Sequence, residues 1–148
     1  MTDSDGFRQS FELMGRNFSK AGIISTRIKE ILQDVGIDSS IIRRAAIASY
    51  EAEMNVVMYA ARATLTLALT PRDIKIMLDD EGPGIENIDQ AMQEGYSTAT
   101  DEMREMGFGA GMGLPNIKKN ADEFTIISTP GKGTNLVIVF HLNSKGKA

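Results

Sequence analysis

Residues 106–120 read MGFGAGMGLPNIKKN, with a glycine at every second position from Gly107 to Gly113 and a helical pattern directly after them. Glycine costs roughly 0.5–1 kcal/mol relative to alanine inside regular structure, so packing does not explain this run. A backbone that must approach a bound molecule closely, or must move, explains it better. Half of the glycines in the chain, seven of 14, lie between Gly82 and Gly113, so conformational freedom is concentrated there.

The composition of the chain indicates which kind of protein it is and which partners and sites it excludes. With 148 residues, 42% hydrophobic and 24% charged, we expect one globular domain over residues 1–148. The formal net charge of −4 disfavours a nucleic-acid partner, because phosphates favour basic surfaces. The absence of cysteine excludes disulfides, thiolate metal sites and a cysteine nucleophile. No stretch resembles a signal peptide or approaches the ~20 apolar residues that span a bilayer, so we expect a cytoplasmic protein that does not enter membranes.

The spacing of apolar residues predicts the order of helices and strands. The predicted elements are a weak strand at 7–14, a helix ending near Gly36, a helix from about Ile41 to Ala60, strands at 64–70 and 74–80, a short helical piece at 88–95, a helix from Leu114, and strands at 124–128 and 134–142. This order favours an α+β fold. We expect a two-layer α/β sandwich, in which a mixed, mostly antiparallel sheet is covered on one face by three helices.

The stretch SYEAEMN (49–55) in the second predicted helix holds the first candidate site residues. Glu51 and Asn55 are four residues apart and so lie on one helix face, with Cβ atoms roughly 5–6 Å apart. A carboxylate that can take a proton, beside an amide oxygen that can bind a hard cation, suits metal-assisted phosphoryl transfer. The alternative is an ordinary solvated helix face. Glu53 points elsewhere and is interpreted as a surface acid.

The segment DDEGPGI (79–85) contains an Asp-x-Gly-x-Gly pattern at Asp80, Gly82 and Gly84. Asp80 shares strand parity with the apolar residues from Ile74 to Leu78, so its side chain should point inward. A buried carboxylate needs a hydrogen-bond donor, and the exocyclic amine of adenine would serve. The alternative is that Asp80 only caps the following turn.

The glycine-rich segment GFGAGMGL (107–114) is neither a P-loop nor a dinucleotide fingerprint, since neither glycine spacing fits it. It is best described as a flexible hinge that leads into a helix N-terminus near Leu114. Free N–H groups and the helix dipole attract phosphate at such a place. A disordered loop is the alternative.

The last candidate is the group Gly131, Gly133 and Thr134, which precedes the final strand. Thr134 shares parity with the apolar residues from Leu136 to Leu142, so its hydroxyl should face the core side of the sheet. On its own, Thr134 is an ordinary strand threonine.

Four motifs of the chain, taken in order, resemble the N, G1 and G2 boxes and the terminal Gly-Thr of the GHKL ATPase superfamily. They are Glu51 to Asn55, then DEGPGI, then GAGMGL, which opens a helix, and then GKGT, which enters a strand. The resemblance covers nearly all of the chain and is specific for ATP binding on a Bergerat-type fold. Because further domains and an upstream phosphoacceptor histidine are absent, the chain is most similar to the small bacterial anti-sigma and switch serine/threonine kinases. The single histidine, His141, is expected on the surface.

The resemblance implies a role for each matching residue. Asn55 would bind Mg²⁺ against the triphosphate, Glu51 would activate the attacking hydroxyl, and Asp80 would accept from the adenine amine, with Thr134 assisting through a water. The remaining nucleotide contacts would come from two glycine-rich segments, at Gly82, Gly84, Gly109, Ala110, Gly111, Met112, Gly113 and Leu114.

The resemblance also implies an ATP lid over about residues 86–113, which would close when the γ-phosphate is present. Arg104 in this lid would either touch that phosphate or be a solvated surface arginine. Family members often dimerise through the first strand, so a homodimer is a further implication, although the weak pattern of residues 7–14 does not itself predict it.

The function implied by the resemblance is a Mg-ATP-dependent protein serine/threonine kinase of a partner-switching pathway. Its substrate would be a serine or threonine of a STAS-domain partner. A sigma factor is the alternative partner. Tyr59 and Ala60 replace the His-Gly pair that follows the N box in sigma-binding members, which argues against that alternative. Two alternatives stay open: a non-enzymatic switch gated by ATP or ADP, and a detached catalytic module of a histidine kinase.

Overall fold

The structure, a computed structural model, describes residues 6–82, 84, 88–93 and 113–142. Its elements in chain order are β1 (Phe7–Met14), a 3-10 turn (Phe18–Lys20), α1 (Ile23–Asp34), α2 (Ser39–Tyr59), β2 (Arg62–Leu69), β3 (Asp73–Glu81), α3 (Ile88–Ala91), α4 (Gly113–Asn120), β4 (Glu123–Thr129) and β5 (Gly133–His141). Each predicted helix and strand is therefore present, with ends that differ by a few residues.

The five strands form one sheet in the order β1-β2-β3-β5-β4. All of its pairings are antiparallel. The predicted α+β sandwich is confirmed, but the expectation of some parallel pairing is wrong. β3 and β4 do run in the same direction, because each pairs antiparallel with β5. They do not pair with each other, since β5 lies between them.

The main core lies between one face of this sheet and the helices α1, α2 and α4. Alternate residues of the central strands point into it, as the period-two pattern predicts. The fully buried side chains on these strands include Leu65, Leu67, Ile74, Ile76, Ile138 and Phe140. Each such side chain stabilises the fold by roughly 1.5–3 kcal/mol relative to full exposure. The sandwich therefore depends on the central three strands.

Two isoleucines of the β4–β5 hairpin allow a matched test of this core. Ile138 is 0% exposed on β5, whereas Ile127 on β4 is 64% exposed. We expect Ile138→Val to lower the free energy of unfolding by about 0.5–1.5 kcal/mol, because the removed methylene leaves an unfilled space. Ile127→Val should stay within about 0.5 kcal/mol of the wild type. Urea denaturation measures both, and equal losses would contradict the orientation of this hairpin.

The helix α2 occupies the middle of the helical layer and packs against both α1 and α4. Its N-terminus is capped by Asp38, whose side chain accepts a hydrogen bond from the Ser40 N–H at 3.1 Å. The helix ends at Tyr59, and the backbone N–H of Ala61 then donates to the carbonyl of Glu81 at 2.7 Å. This bond places the C-terminal end of α2 beside the end of β3.

None of the helices in the described part of the chain combines the length and the apolar character needed to cross a bilayer.

Candidate functional site

Glu51 and Asn55 lie on the side of α2 that packs against α4, and both are half-buried. The side-chain amide of Asn116 on α4 donates to Oε2 of Glu51 at 3.2 Å. A Cβ added at Gly113, the first residue of α4, would lie 3.3 Å from Oδ1 of Asn55 and 3.5 Å from Oε1 of Glu51. Gly113 therefore lies close to both oxygen atoms, and a side chain at this position would crowd Asn55.

Asp80 lies near the end of β3, on the side of the sheet that faces the helices, as its parity predicts. Its Oδ1 accepts a hydrogen bond from the backbone N–H of Thr134 on β5 at 2.9 Å. Burial raises the pKa of the Asp80 carboxyl, the hydrogen bond from Thr134 opposes that change, and the nearby charge of Asp79 adds to it. Asp80 is therefore a partly desolvated acceptor whose described hydrogen bond joins two strands.

The hydroxyl of Thr134 is buried beside Asp80, with 6% of the residue exposed. It lies 2.8 Å from the hydroxyl of Ser128 on β4, so the two hydroxyls share a hydrogen bond. Gly133 is packed tightly at the same place, since a Cβ there would lie 2.0 Å from the backbone oxygen of Asp80. Asp80, Thr134 and Ser128 thus form one polar cluster across three strands.

Gly82 and Gly84, predicted to let a base approach, lie against the backbone of the chain itself. A Cβ added at Gly82 would lie 3.0 Å from the Cα of Ala60, and the Gly82 N–H donates to the carbonyl of Lys132 at 3.2 Å. Gly84 has a φ of +75°, and a Cβ there would lie 2.5 Å from the carbonyl oxygen of Thr129. These contacts explain both glycines without a ligand, and any contact with a base stays a prediction.

The contact between Gly82 and Ala60 also shows where Asn55 lies relative to the polar cluster of Asp80, Thr134 and Ser128. Asn55 lies five residues before Ala60, which is about 7–8 Å along the helix axis. Asp80 lies two residues before Gly82. Asn55 and the Asp80 cluster therefore lie toward the same end of the sandwich, on the side of the sheet that the helices cover.

Several predicted site residues lie outside the described part of the chain. These are Gly109, Ala110, Gly111 and Met112, together with Arg104 and most of the predicted lid at 86–113. Leu114 is described, and its side chain is buried in the main core. The contact of its backbone N–H with phosphate stays a prediction.

The interpretation of Glu53 as a surface acid is wrong. Only 1% of the residue is exposed, and its carboxylate accepts hydrogen bonds from the backbone N–H groups of Gly22 at 3.1 Å, Ile24 at 3.2 Å and Ser25 at 3.0 Å. The reason lies in α1, whose N-cap is Gly22 and which has no side-chain cap of its own. The free N–H groups of its first turn are satisfied by a carboxylate from the neighbouring helix instead.

The sequence interpretation missed Asn116 and Ser128. Asn116 lies three residues after Gly113, so the i, i+3 spacing was a signal that the two lie on one face of α4. Ser128 pairs with Thr134 in the register of the β4–β5 hairpin. The turn signal TPGKG between these strands would have indicated that pairing. The expected exposure of His141 is confirmed, and its ring contacts the Glu123 carboxylate at 2.8 Å.

The chain is similar to known proteins over most of its length. A family model described as histidine kinase-, DNA gyrase B- and HSP90-like ATPase matches residues 39–144. The serine/threonine-protein kinase RsbT of Bacillus subtilis (strain 168) is 29% identical over 112 residues, which cover 73% of this chain and 78% of the relative. An anti-sigma F factor of Thermoanaerobacter sp. (strain X514) is 31% identical over 124 residues, which cover 84% of this chain and 79% of the relative.

A solved structure, that of the mycobacterial sensor histidine kinase MprB, matches this one with a TM-score of 0.50. The match covers 91% of this chain and 97% of the other at 12% sequence identity. At so low an identity the likeness shows a shared fold.

Proposed function

Because the chain belongs to the histidine kinase-, DNA gyrase B- and HSP90-like ATPase family, we propose that it is a Mg-ATP-dependent protein serine/threonine kinase. The names of its relatives support this activity, since one is a serine/threonine-protein kinase and another an anti-sigma F factor. The observation that carries the proposal is the meeting of Glu51, Asn55 and Gly113 where α2 packs against the start of α4. A carboxylate and an amide oxygen beside α4 suit a triphosphate and an attacking hydroxyl.

Glu51 is the proposed general base. The hydroxyl oxygen of the acceptor serine or threonine attacks the γ-phosphorus, the bond to the β,γ-bridging oxygen breaks, and ADP leaves. The hydroxyl proton passes to a Glu51 carboxylate oxygen. The hydrogen bond from Asn116 to Oε2 leaves Oε1 directed toward Gly113, which supports Oε1 as the oxygen that takes the proton.

Asn55 is the proposed magnesium ligand. Its Oδ1 lies beside Gly113, and an amide oxygen suits Mg²⁺, which protein sites hold through few side chains and the phosphates of the substrate. When bound, the ion would supply charge neutralisation at the phosphates.

The adenine subsite is proposed at Asp80 and Thr134. The half-buried carboxylate of Asp80 would accept from the adenine amine, and Thr134 would assist through a water. Backbone amides near Gly113 and Leu114 would bind phosphate oxygens, and the segment from about 86 to 113, with Gly109, Ala110, Gly111 and Met112, would close over them as a lid.

A protein partner supplies the acceptor hydroxyl in this proposal. The names of the kinase and anti-sigma relatives support a partner-switching regulator. A cytoplasmic location and a STAS-domain protein as the phosphorylated partner are further parts of the proposal. Tyr59 stands at the position where sigma-binding members carry histidine, which supports the STAS partner over a sigma factor. A homodimer remains part of the proposal.

Transfer of label from γ-labelled ATP tests this function. The tagged chain is purified with its bound partner, and we expect acid-stable label on a serine or threonine of that partner. The chain carrying Glu51→Gln serves as the matched control and should transfer about 10²- to 10⁴-fold more slowly. Tight complex formation without any transfer would contradict the kinase and favour an ATP-gated switch. Acid-labile label would instead identify a histidine-kinase module.

A further inference from the structure

Glu53 is a buried carboxylate that the proposed reaction does not use. Removing a charge from water costs several kcal/mol unless hydrogen bonds and opposite charge compensate. Here the compensation comes from the N–H groups of Gly22, Ile24 and Ser25 and from the positive end of the α1 dipole. Because three donors from one helix end converge on a single side chain of α2, the two helices are joined at a defined point.

The position of Glu53 on α2 shows where this junction with α1 lies relative to Glu51 and Asn55. Residues two apart on an α-helix are separated by about 200° around its axis, so Glu53 lies on the opposite side of α2 from both Glu51 and Asn55. α2 accordingly has α1 on one side and α4 on the other. A rotation of α2 about its axis would change the contacts on both sides together.

We propose that Glu53 is a positioning residue of the nucleotide site: by binding the first turn of α1 it fixes the rotation of α2, and so fixes where Glu51 and Asn55 lie against α4. This inference rests on the proposed kinase function for its catalytic consequence. Side-chain atoms lie about 5–6 Å from a helix axis, so a rotation of about 10° displaces them by about 1 Å. A displacement of that size in a reacting group can cost on the order of 100-fold in rate.

Glu53→Gln tests the proposal with little change in volume. Glutamine offers one oxygen where the carboxylate offers two, so at least one N–H of the α1 turn faces an amide N–H instead of an acceptor. Per folded molecule, we expect kcat for phosphoryl transfer to fall roughly 10- to 100-fold. The matched control is Glu30→Gln on α1, where the side chain is 57% exposed and pairs with Arg27. It should leave kcat and KM unchanged.

A purely structural role for Glu53 gives a different result. The folded fraction would then fall, while the folded molecules kept the kcat and KM of the wild type. That outcome would overturn the proposal.

A second readout needs neither nucleotide nor partner. The side-chain amide of Asn116 reports on its hydrogen bond to Glu51, and its NMR signal in Glu51→Ala gives the reference for the broken bond. In Glu53→Gln we expect this signal to move toward that reference. An unchanged signal would refute the positioning role even if the chain proved not to be a kinase, whereas a wild-type chain that fails to bind Mg-ATP would refute the proposed function alone.

Gly22→Ala changes the other side of the junction, a donor to the Glu53 carboxylate. This variant tests the proposal even if Glu53→Gln does not fold. Gly22 has a φ of +94°, which an alanine adopts only with strain, so the N–H that it presents to Glu53 should be displaced. We expect the Asn116 signal to shift in the same direction as in Glu53→Gln, by a smaller amount. A shift in Glu53→Gln that Gly22→Ala does not share would show that the effect does not pass through this junction.

Discussion

Asp80→Asn is expected to weaken ATP binding on the order of 100-fold while the fold stays intact, because asparagine can satisfy the protein but not the base. The amide oxygen of the new side chain can still accept from the Thr134 N–H. Its NH₂ group would then take the place of the second carboxylate oxygen and face the donating amine of adenine in the proposed subsite. Two donors that face each other leave both without an acceptor, and the charge that strengthened the original bond is lost.

The effect of this substitution on stability should have the opposite sign. Burial, the main cause, raises the pKa of Asp80 above its ordinary value of 3.8, so the ionised form is less favourable in the folded chain than in the unfolded one. The stabilising contribution of this group is present below its unfolded pKa and is lost as pH rises through the raised folded pKa. At neutral pH the nucleotide-free Asp80→Asn chain should therefore be as stable as the wild type or more stable.

Calorimetry with Mg-ATP and urea denaturation at neutral and acidic pH measure these two effects. Asp79→Asn is the matched control, since Asp79 is the preceding, exposed residue of β3 and points to the other face of the sheet. It should keep the wild-type affinity. An Asp80→Asn chain that binds ATP like the wild type would refute the adenine contact, and one that is destabilised at neutral pH would contradict the direction of the pKa shift.

The local parts of the fold were predictable from the sequence. Period-two alternation on β2, β3 and β5 reports directly on which side chains face the core, so the inward direction of Asp80 followed from the residues before it. Helical spacing likewise placed Glu51 and Asn55 on one face. These predictions succeeded because each depends only on neighbours within a few residues.

Features set by distant segments were not predictable in the same way. Asn116 reaches Glu51 across a sequence separation of 65 residues, and no local pattern contains that contact. Helical spacing correctly directed Glu53 away from Glu51, but it could not show that an uncapped helix end lies there. The sheet is antiparallel because β5 lies between β3 and β4. Other strand orders contain the same elements, so the pattern of elements did not determine this order.

Glu51→Gln is expected to lower the rate of phosphoryl transfer by about 10²- to 10⁴-fold, the range in which general bases contribute, while ATP still binds within a few-fold of wild type. The contacts of Glu51 explain why the transfer rate should fall while the affinity for ATP is nearly unchanged. The glutamine oxygen can accept from Asn116 as Oε2 does, so the side chain keeps its orientation. Its NH₂ then occupies the place of Oε1 beside Gly113, where it cannot take a proton from the acceptor hydroxyl.

Single-turnover transfer from γ-labelled ATP to the purified partner, with calorimetry on the same preparations, measures rate and affinity separately. Glu81→Gln is a suitable control, because Glu81 is an exposed carboxylate that contacts Arg62 at 3.6 Å on the end of β3. Its removal leaves the α2–α4 contact untouched and should change neither quantity. If Glu51→Gln transferred phosphate as fast as Glu81→Gln, another group would have to take the proton. The meeting of α2 and α4 at Gly113 would then serve nucleotide binding alone.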